Sequence, residues 1–272
     1  MNSVIFGDYL TLQHLQALID GDVAALQIKS FIDRTLALRL ATWFIKHPSR
    51  QNYQYSDATG NLANSDTDRI GSPLSLVYAS LMHDQQPRAP TPASLELDRS
   101  FEILRNEIRK VCLPYAAPID NFRVLLDELW PNGASIAKFG THRPYAGVVR
   151  VLRASGPNNS LLPEPHMDWL PPAIANFDFQ FSAIIYLDVP DSGGELDIWK
   201  VNQTKLRALT NGDIRMLRST LGPEKTLQPK TGDLIIINTR LPHAVRPPAS
   251  GESIVQSCFF GGAYDEHLSI WS

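Results

Sequence analysis

The stretch that decides the fold is FQFSAIIYLDVPDSGGELDIWK, residues 179–200. It opens with a run of aromatic and β-branched residues, the composition of a strand. The run stops at Asp191-Ser192-Gly193-Gly194, a turn signal, and a second strand-like run occupies 195–200. The pattern continues outward on both sides. Residues 136–139, 145–154, 213–217, 233–237 and 254–261 also read as strands. Gly140, Asn211-Gly212, Lys230-Thr231-Gly232 and Gly251 separate them. Many short strands punctuated by Gly and Pro specify a sandwich or barrel.

Upstream of residue 136 the character is helical. Leu10 to Leu18 carries apolar residues at helical spacing, and Val23 to Phe31 is a short extended run. Asp33 can cap a helix through Leu36, Leu40 and Phe44 that Pro48 stops. Residues 49–73 are polar and without periodicity, which predicts a long loop, and 83–94 form a second irregular stretch. Helices are expected from Ser94 to about Leu113 and from Asp120 to just before Pro131. The fold expected is mainly β with helices. Residues 1–135 would be a helical and loop support region within the same compact unit, and residues 136–272 the β core.

Composition narrows the function. The chain has 272 residues, 25 Lys and Arg against 28 Asp and Glu, and a formal charge of -3. That length buries a core without help from disulfides or a structural metal. The near-neutral balance provides no basic footprint for nucleic acid. No apolar run is long enough to span a bilayer. The start, MNSVIFGDYLTLQHL, lacks the basic and apolar regions of a signal peptide. Cys112 and Cys258 make no disulfide framework and read as buried thiols of a reducing compartment. A soluble cytoplasmic monomer or homodimer acting on a small molecule is the expectation.

The chemistry lies in Pro165-His166-Met167-Asp168-Trp169. In an extended segment residues i and i+2 point to one side, so an imidazole and a carboxylate converge. Two ligands hold a divalent ion poorly. His243 follows the apolar strand DLIIIN and precedes IVQSCFF, so it suits the third position. Two imidazoles and a carboxylate on one face of a metal are the facial triad of non-haem Fe(II) oxygenases. A lone H-x-D is a weak signal, and a sheet histidine is commonly a satisfied core residue. The later His243 and the hairpin between them outweigh that reading.

These residues resemble the metal motif of the Fe(II)/2-oxoglutarate-dependent oxygenase superfamily. Ser192-Gly193-Gly194-Glu195-Leu196 is similar to the family's turn after the long inner strand, and Lys230 to Asn238 to the strand before its distal histidine. The resemblance covers about residues 136–262. It implies a double-stranded β-helix (jelly-roll) core flanked by N-terminal helices. It also implies Fe(II), with 2-oxoglutarate and O2 as cosubstrates. The reaction it implies hydroxylates an unactivated carbon and releases succinate and CO2. In style the chain is closest to free-standing bacterial amino-acid or natural-product hydroxylases related to the non-haem iron halogenases. In the halogenating relatives a small residue replaces the carboxylate. Asp168 is present, which favours hydroxylation and leaves desaturation or cyclisation open.

The distal carboxylate of 2-oxoglutarate calls for a guanidinium. Where much of the family carries a basic residue, about ten positions past the distal histidine, this chain has Ser253. Arg246 is the nearest substitute, with Ser253 assisting. In YAGVVRVLR, Arg150 and Arg153 fall on opposite faces. Arg150 is a second candidate for cosubstrate and Arg153 a candidate for the substrate pocket. Tyr145 and Tyr186 could bond 2-oxoglutarate through their hydroxyls. Asn238 could bond a ligand or close a turn. Trp169 could wall the site, Phe177 is a lid or core aromatic, and Leu170 to Asn176 is expected to form a lid. Met167, between the ligands, is expected in the core, and Arg240 in a turn. Competing functions are a peptide or protein hydroxylase, a cupin-like metal protein and, least favoured, a non-catalytic jelly-roll binding protein.

Overall fold

The structure, a computed structural model, describes residues 4–56, 62–74, 92–139, 143–154, 164–170, 174–201 and 210–272. Its strands are β1 (Val4–Gly7), β2 (Ala25–Ile28), β3 (Gln51–Ser56), β4 (Leu62–Ile70), β5 (Ala134–Ile136), β6 (Val148–Arg153), β7 (Phe179–Asp188), β8 (Leu196–Ile198), β9 (Lys225–Leu227), β10 (Leu234–Asn238), β11 (His243–Val245), β12 (Glu252–Gly262) and β13 (Leu268–Trp271). The helices are α1 (Leu12–Ile19), α2 (Arg34–Ile45), α3 (Pro92–Cys112), α4 (Pro118–Leu129), α5 (Asn211–Arg215) and α6 (Leu217–Thr220). Asp33 caps α2 by accepting from the Thr35 and Leu36 amides at 2.8 and 3.1 Å, as its place before an apolar periodic run predicts.

Two sheets form a mainly β, jelly-roll core. The major sheet has the order β1-β2-β10-β7-β12-β6-β4-β3, with β13 and β5 attached through β12. The minor sheet is β11-β8-β9. Alternation along the strands sorts side chains between two layers. From β7, Phe179, Phe181, Ala183, Ile185 and Leu187 pack with the buried faces of α1 to α4. Ile184 and Tyr186 lie on the opposite face, with Leu196, Ile198 and Leu227 of the minor sheet. The space between the sheets is where the site is built.

Glycines make the turns tight enough for this. Gly193, at φ 85°, packs under the connection from β11 to β12, where a Cβ would lie 2.3 Å from the Pro247 carbonyl oxygen. Gly232, at φ 98°, starts β10 against the Ile32 carbonyl in the same manner. Only glycine fits both the positive φ and the close backbone.

Three expectations from sequence change. The polar stretch 49–73, predicted to be a loop, contains the hairpin β3–β4, and β4 pairs with β6 in the major sheet. Residues 213–217, predicted to be a strand, fall in helices α5 and α6. There Thr210 and Asp213 form a reciprocal capping box, and Ile214 and Leu217, three apart, bury one face. The major sheet also runs across position 136: β1 to β4 lie upstream of it, and β2 pairs with β10 from downstream. The irregular stretch expected at 83–94 lies outside the described residues up to 91, and α3 takes up the rest.

Candidate active site

His166, Asp168 and His243 converge, with one ligand atom of each lying within 4.8 Å of the others. Asp168 Oδ2 is 3.5 Å from His243 Nε2 and 4.0 Å from His166 Nε2. The backbone holds this convergence. The His166 amide donates to the His243 carbonyl at 3.0 Å, and the return bond is 2.9 Å. The ligand segment thus extends the minor sheet by one bridge beside β11. The Asp168 amide donates to the Thr239 carbonyl at 2.9 Å. His243 Nδ1 lies 2.9 Å from the Leu241 carbonyl, and His166 Nδ1 lies 3.4 Å from that of Glu164. A carbonyl only accepts, so Nδ1 carries the proton and each Nε2 lone pair is left to face the shared point.

The charge states suit a cation. Burial, and then the neighbouring His243, lower the pKa of His166, so its imidazole is neutral. Burial alone would raise the Asp168 carboxyl. The His243 contact and the charges of the imidazoles and Arg150 outweigh it, holding the group well below the usual carboxylate range. The set therefore offers an ionised carboxylate oxygen beside two imidazole nitrogens.

Gln180 is the positioning residue that sequence reading missed. From β7 its Nε2 donates to the Asp168 carbonyl at 3.2 Å and to Thr239 Oγ1 at 3.3 Å. Its Oε1 accepts from the Leu170 amide at 2.7 Å. One buried amide thus ties the segment carrying two ligands to the turn carrying the third. The signal was a lone Gln in the apolar run FQFSAIIYL.

A row of side chains runs across the major sheet beside the triad. Val255 of β12 is paired on one side with Tyr186 and on the other with Arg150. All three face the minor sheet. The Arg150 guanidinium donates to Ser257 Oγ at 2.6 Å and is near enough to bias both His166 and Asp168. The Tyr186 hydroxyl is fully buried and has no hydrogen-bond partner among the described residues. An orphaned buried hydroxyl two strands from an arginine, on the same face, is a cradle for an oxyanion.

Other candidates lie elsewhere. Arg246 is three residues from His243 on the same strand register, an odd step, so it projects from the opposite face. There its Nε and Nη2 each donate at 2.9 Å to the carboxylate of Asp197, which is wholly buried. Ser253 bonds the Asp188 carbonyl at the end of β12 away from the triad. Arg153 faces the other side of β6 from Arg150 and bonds the Ser65 carbonyl, 3.4 Å from Asp68. Tyr145 packs on the helical side, its ring 5.0 Å from that of Phe101. Asn238 closes the turn after β10 by accepting from the Arg240 amide.

Trp169 and Phe177 do come together. With Met167, Leu170, Asn176 and Arg240 they line a cavity of about 290 Å³ against the ligand segment. Met167 also packs against the Trp199 cluster outside the minor sheet. Arg240 braces the chain's return into β7 by donating to the carbonyls of Phe177 and Asp178 at 2.5 and 2.7 Å. Of the expected lid, residues 171–173 lie outside the described residues.

A model of the 2OG-Fe(II) oxygenase superfamily matches residues 153–261, a span that holds all three triad residues. That segment, 109 of the chain's 272 residues, resembles the superfamily. The family's description names Fe(II) and 2-oxoglutarate. The donor set and the orphaned Tyr186 hydroxyl fit an iron ion and a dicarboxylate respectively. Among solved structures, an N-substituted L-amino acid dioxygenase from Burkholderia ambifaria is 12% identical, with TM-score 0.51, covering 96% of this chain and 91% of its own. HygX from Streptomyces hygroscopicus, solved with nickel and 2-oxoglutarate, is 12% identical at TM-score 0.49, covering 93% and 88%. A 2OG-Fe(II) oxygenase family oxidoreductase from Burkholderia pseudomallei is 15% identical at TM-score 0.48, covering 98% and 99%. No curated protein matches the chain by sequence.

Proposed function

We propose that this oxygenase hydroxylates an unactivated carbon of a small molecule, an amino acid, amino-acid derivative or natural-product intermediate, releasing succinate and CO2. The observation that carries the reading is the convergence of His166, Asp168 and His243, with the Asp168 carboxylate held ionised. When bound, the iron supplies oxidising power from O2 and 2-oxoglutarate. The chain's own residues orient and exclude water.

His166, Asp168 and His243 hold the ion. Arg150, with Tyr186, takes the distal carboxylate of 2-oxoglutarate, a role supported by their shared row and by the unpartnered hydroxyl. Trp169 and Phe177 wall the substrate pocket, a role supported by the cavity they share. A cytoplasmic setting is supported by the two free, buried cysteines, whose thiols burial raises to about 11 and about 12. Among the described residues no helix is long and apolar enough to cross a membrane.

The test is anaerobic addition of Fe(II) and 2-oxoglutarate, read as a weak visible charge-transfer absorption, followed by succinate release in air. Absorption that fails to appear, with no 2-oxoglutarate consumed for any candidate substrate, would overturn the proposal.

A further inference from the structure

The row Tyr186–Val255–Arg150 continues one strand further. In the register of β4 with β6, Arg69 lies directly opposite Arg150. Both side chains therefore leave the sheet on the face toward the site, Arg150 reaching to Ser257 of β12 and Arg69 to Gln51 of β3. Like charges directly opposite on neighbouring strands are destabilising. Among the described residues neither has a carboxylate partner. Arg150 bonds Ser257, and Arg69 bonds only the Gly71 carbonyl at 2.8 Å and Gln51 Oε1 at 3.1 Å. Those contacts use two of the five N–H donors of Arg69. The other half-buried arginines of the major sheet's opposite face are treated differently: Arg50 pairs with Asp68 and Glu252, and Arg153 lies beside Asp68. A half-buried guanidinium without a counter-charge, on the same face as a second one, is suited to receive an anion of its own.

An apolar floor adjoins it. From Arg69 the chain runs through Gly71 to Leu74, which packs with Trp271 and Ala137. Phe139, Phe177 and Phe259 surround the Trp271 ring, with centroids 6.3, 5.4 and 6.0 Å away. Phe177 is also a wall of the cavity beside Asp168.

We infer that Arg69 is a substrate-binding residue. It receives a carboxylate of the substrate one strand beyond the carboxylate of 2-oxoglutarate, so the substrate class is a carboxylic acid whose apolar body lies against Phe177, which the buried Trp271 backs. The inference rests on the 2-oxoglutarate reading above and deepens it. Separation of the two anions by one strand lets each keep its own guanidinium. It also makes acid recognition a property of the support hairpin β3–β4 rather than of the jelly roll.

The test uses the full chain loaded with Mn(II), which binds without turnover. 2-Oxoglutarate is titrated first by calorimetry, then N-acetylated L-phenylalanine, leucine and methionine, each against its matched amide. At least one acid is expected to bind about tenfold or more tighter than its amide, the scale of a charge-assisted pair. Arg69→Gln should remove that preference and leave 2-oxoglutarate affinity within about twofold, and Arg69→Lys should restore part of it. Retained 2-oxoglutarate binding also shows that the variant is folded. The inference is overturned if acids and amides bind alike, if no acid binds while 2-oxoglutarate does, or if the preference survives Arg69→Gln. Failure of 2-oxoglutarate to bind the unaltered protein is a different result and counts against the proposed function instead.

Discussion

Exchanging Arg150 and Arg246 in turn for Gln separates cosubstrate binding from stability. Among the described residues Arg150 forms no salt bridge, and its charge reaches Asp168 only at longer range. Its Gln variant loses one bond to Ser257 and relieves a charge that stands opposite Arg69. Fold stability should change by less than about 1 kcal/mol, whereas 2-oxoglutarate loses a charge-assisted pair of about 1.5–3 kcal/mol. That corresponds to roughly 10- to 150-fold weaker binding. Arg246 is the converse case. It holds Asp197 through two bonds of 2.9 Å, and Asp197 is wholly buried. Its removal leaves that carboxylate on Arg218 and Thr226 alone. Because the Arg246 side chain is one-third exposed and Arg218 remains, the cost should be about 2–3 kcal/mol, below the range for breaking a fully buried pair. Cosubstrate affinity should not move, since Arg246 projects from the outer face of the minor sheet. The assays are calorimetric titration of the Mn(II) protein with 2-oxoglutarate and urea unfolding at neutral pH. If Arg246→Gln loses 2-oxoglutarate while Arg150→Gln keeps it, the face assignment of both arginines is refuted.

Asp168→Ala should abolish the visible absorption with Fe(II) and 2-oxoglutarate, and metal affinity by calorimetry should fall with it; retained absorption would mean another residue supplies the third donor. Gln180→Leu should cost about 2–4 kcal/mol in urea unfolding by orphaning the Asp168 carbonyl and the Leu170 amide, and weaken metal binding about 10- to 100-fold through loosened ligands. Asp197 predicts an acid limb of stability. Burial raises its carboxyl, but the bonds from Arg246, Thr226 and Arg218 prevail, so its folded pKa lies below the unfolded value of about 3.9. The stabilisation is complete above that unfolded value and is lost as pH falls through the folded one. Unfolding curves from pH 6 downward (an acid range of about three units) should therefore show a loss that is shallower in Arg246→Gln.

Much of the core was legible in the sequence because its determinants are local. Gly193 and Gly232 mark turns that only glycine permits, the 179–189 run has a strand's composition, and the spacing of His166 and Asp168 places both on one side of an extended segment. Hairpin β3–β4 was not legible. At the sheet margin, residues such as Gln51, Asn52 and Thr67 need no apolar alternation, so the stretch resembles a loop until β6 pairs with it. Helices α5 and α6 were misread because two short turns bury only Ile214 and Leu217, too few to display a helical period.

What the sequence determined by itself was the jelly-roll core and the three side chains that converge on one point, since turn residues, strand period and residue spacing act over a few residues. What tertiary structure decided was which cations and amides serve the site. Strand parity already separated Arg150 from Arg153, but only the row through Val255 to Tyr186 fixes which face looks inward. The same register brings Arg69 beside Arg150 and sets Gln180 between the two ligand-bearing segments. Those pairings join residues up to about a hundred positions apart, and their reason is the hydrogen-bond register between strands, which no local pattern encodes.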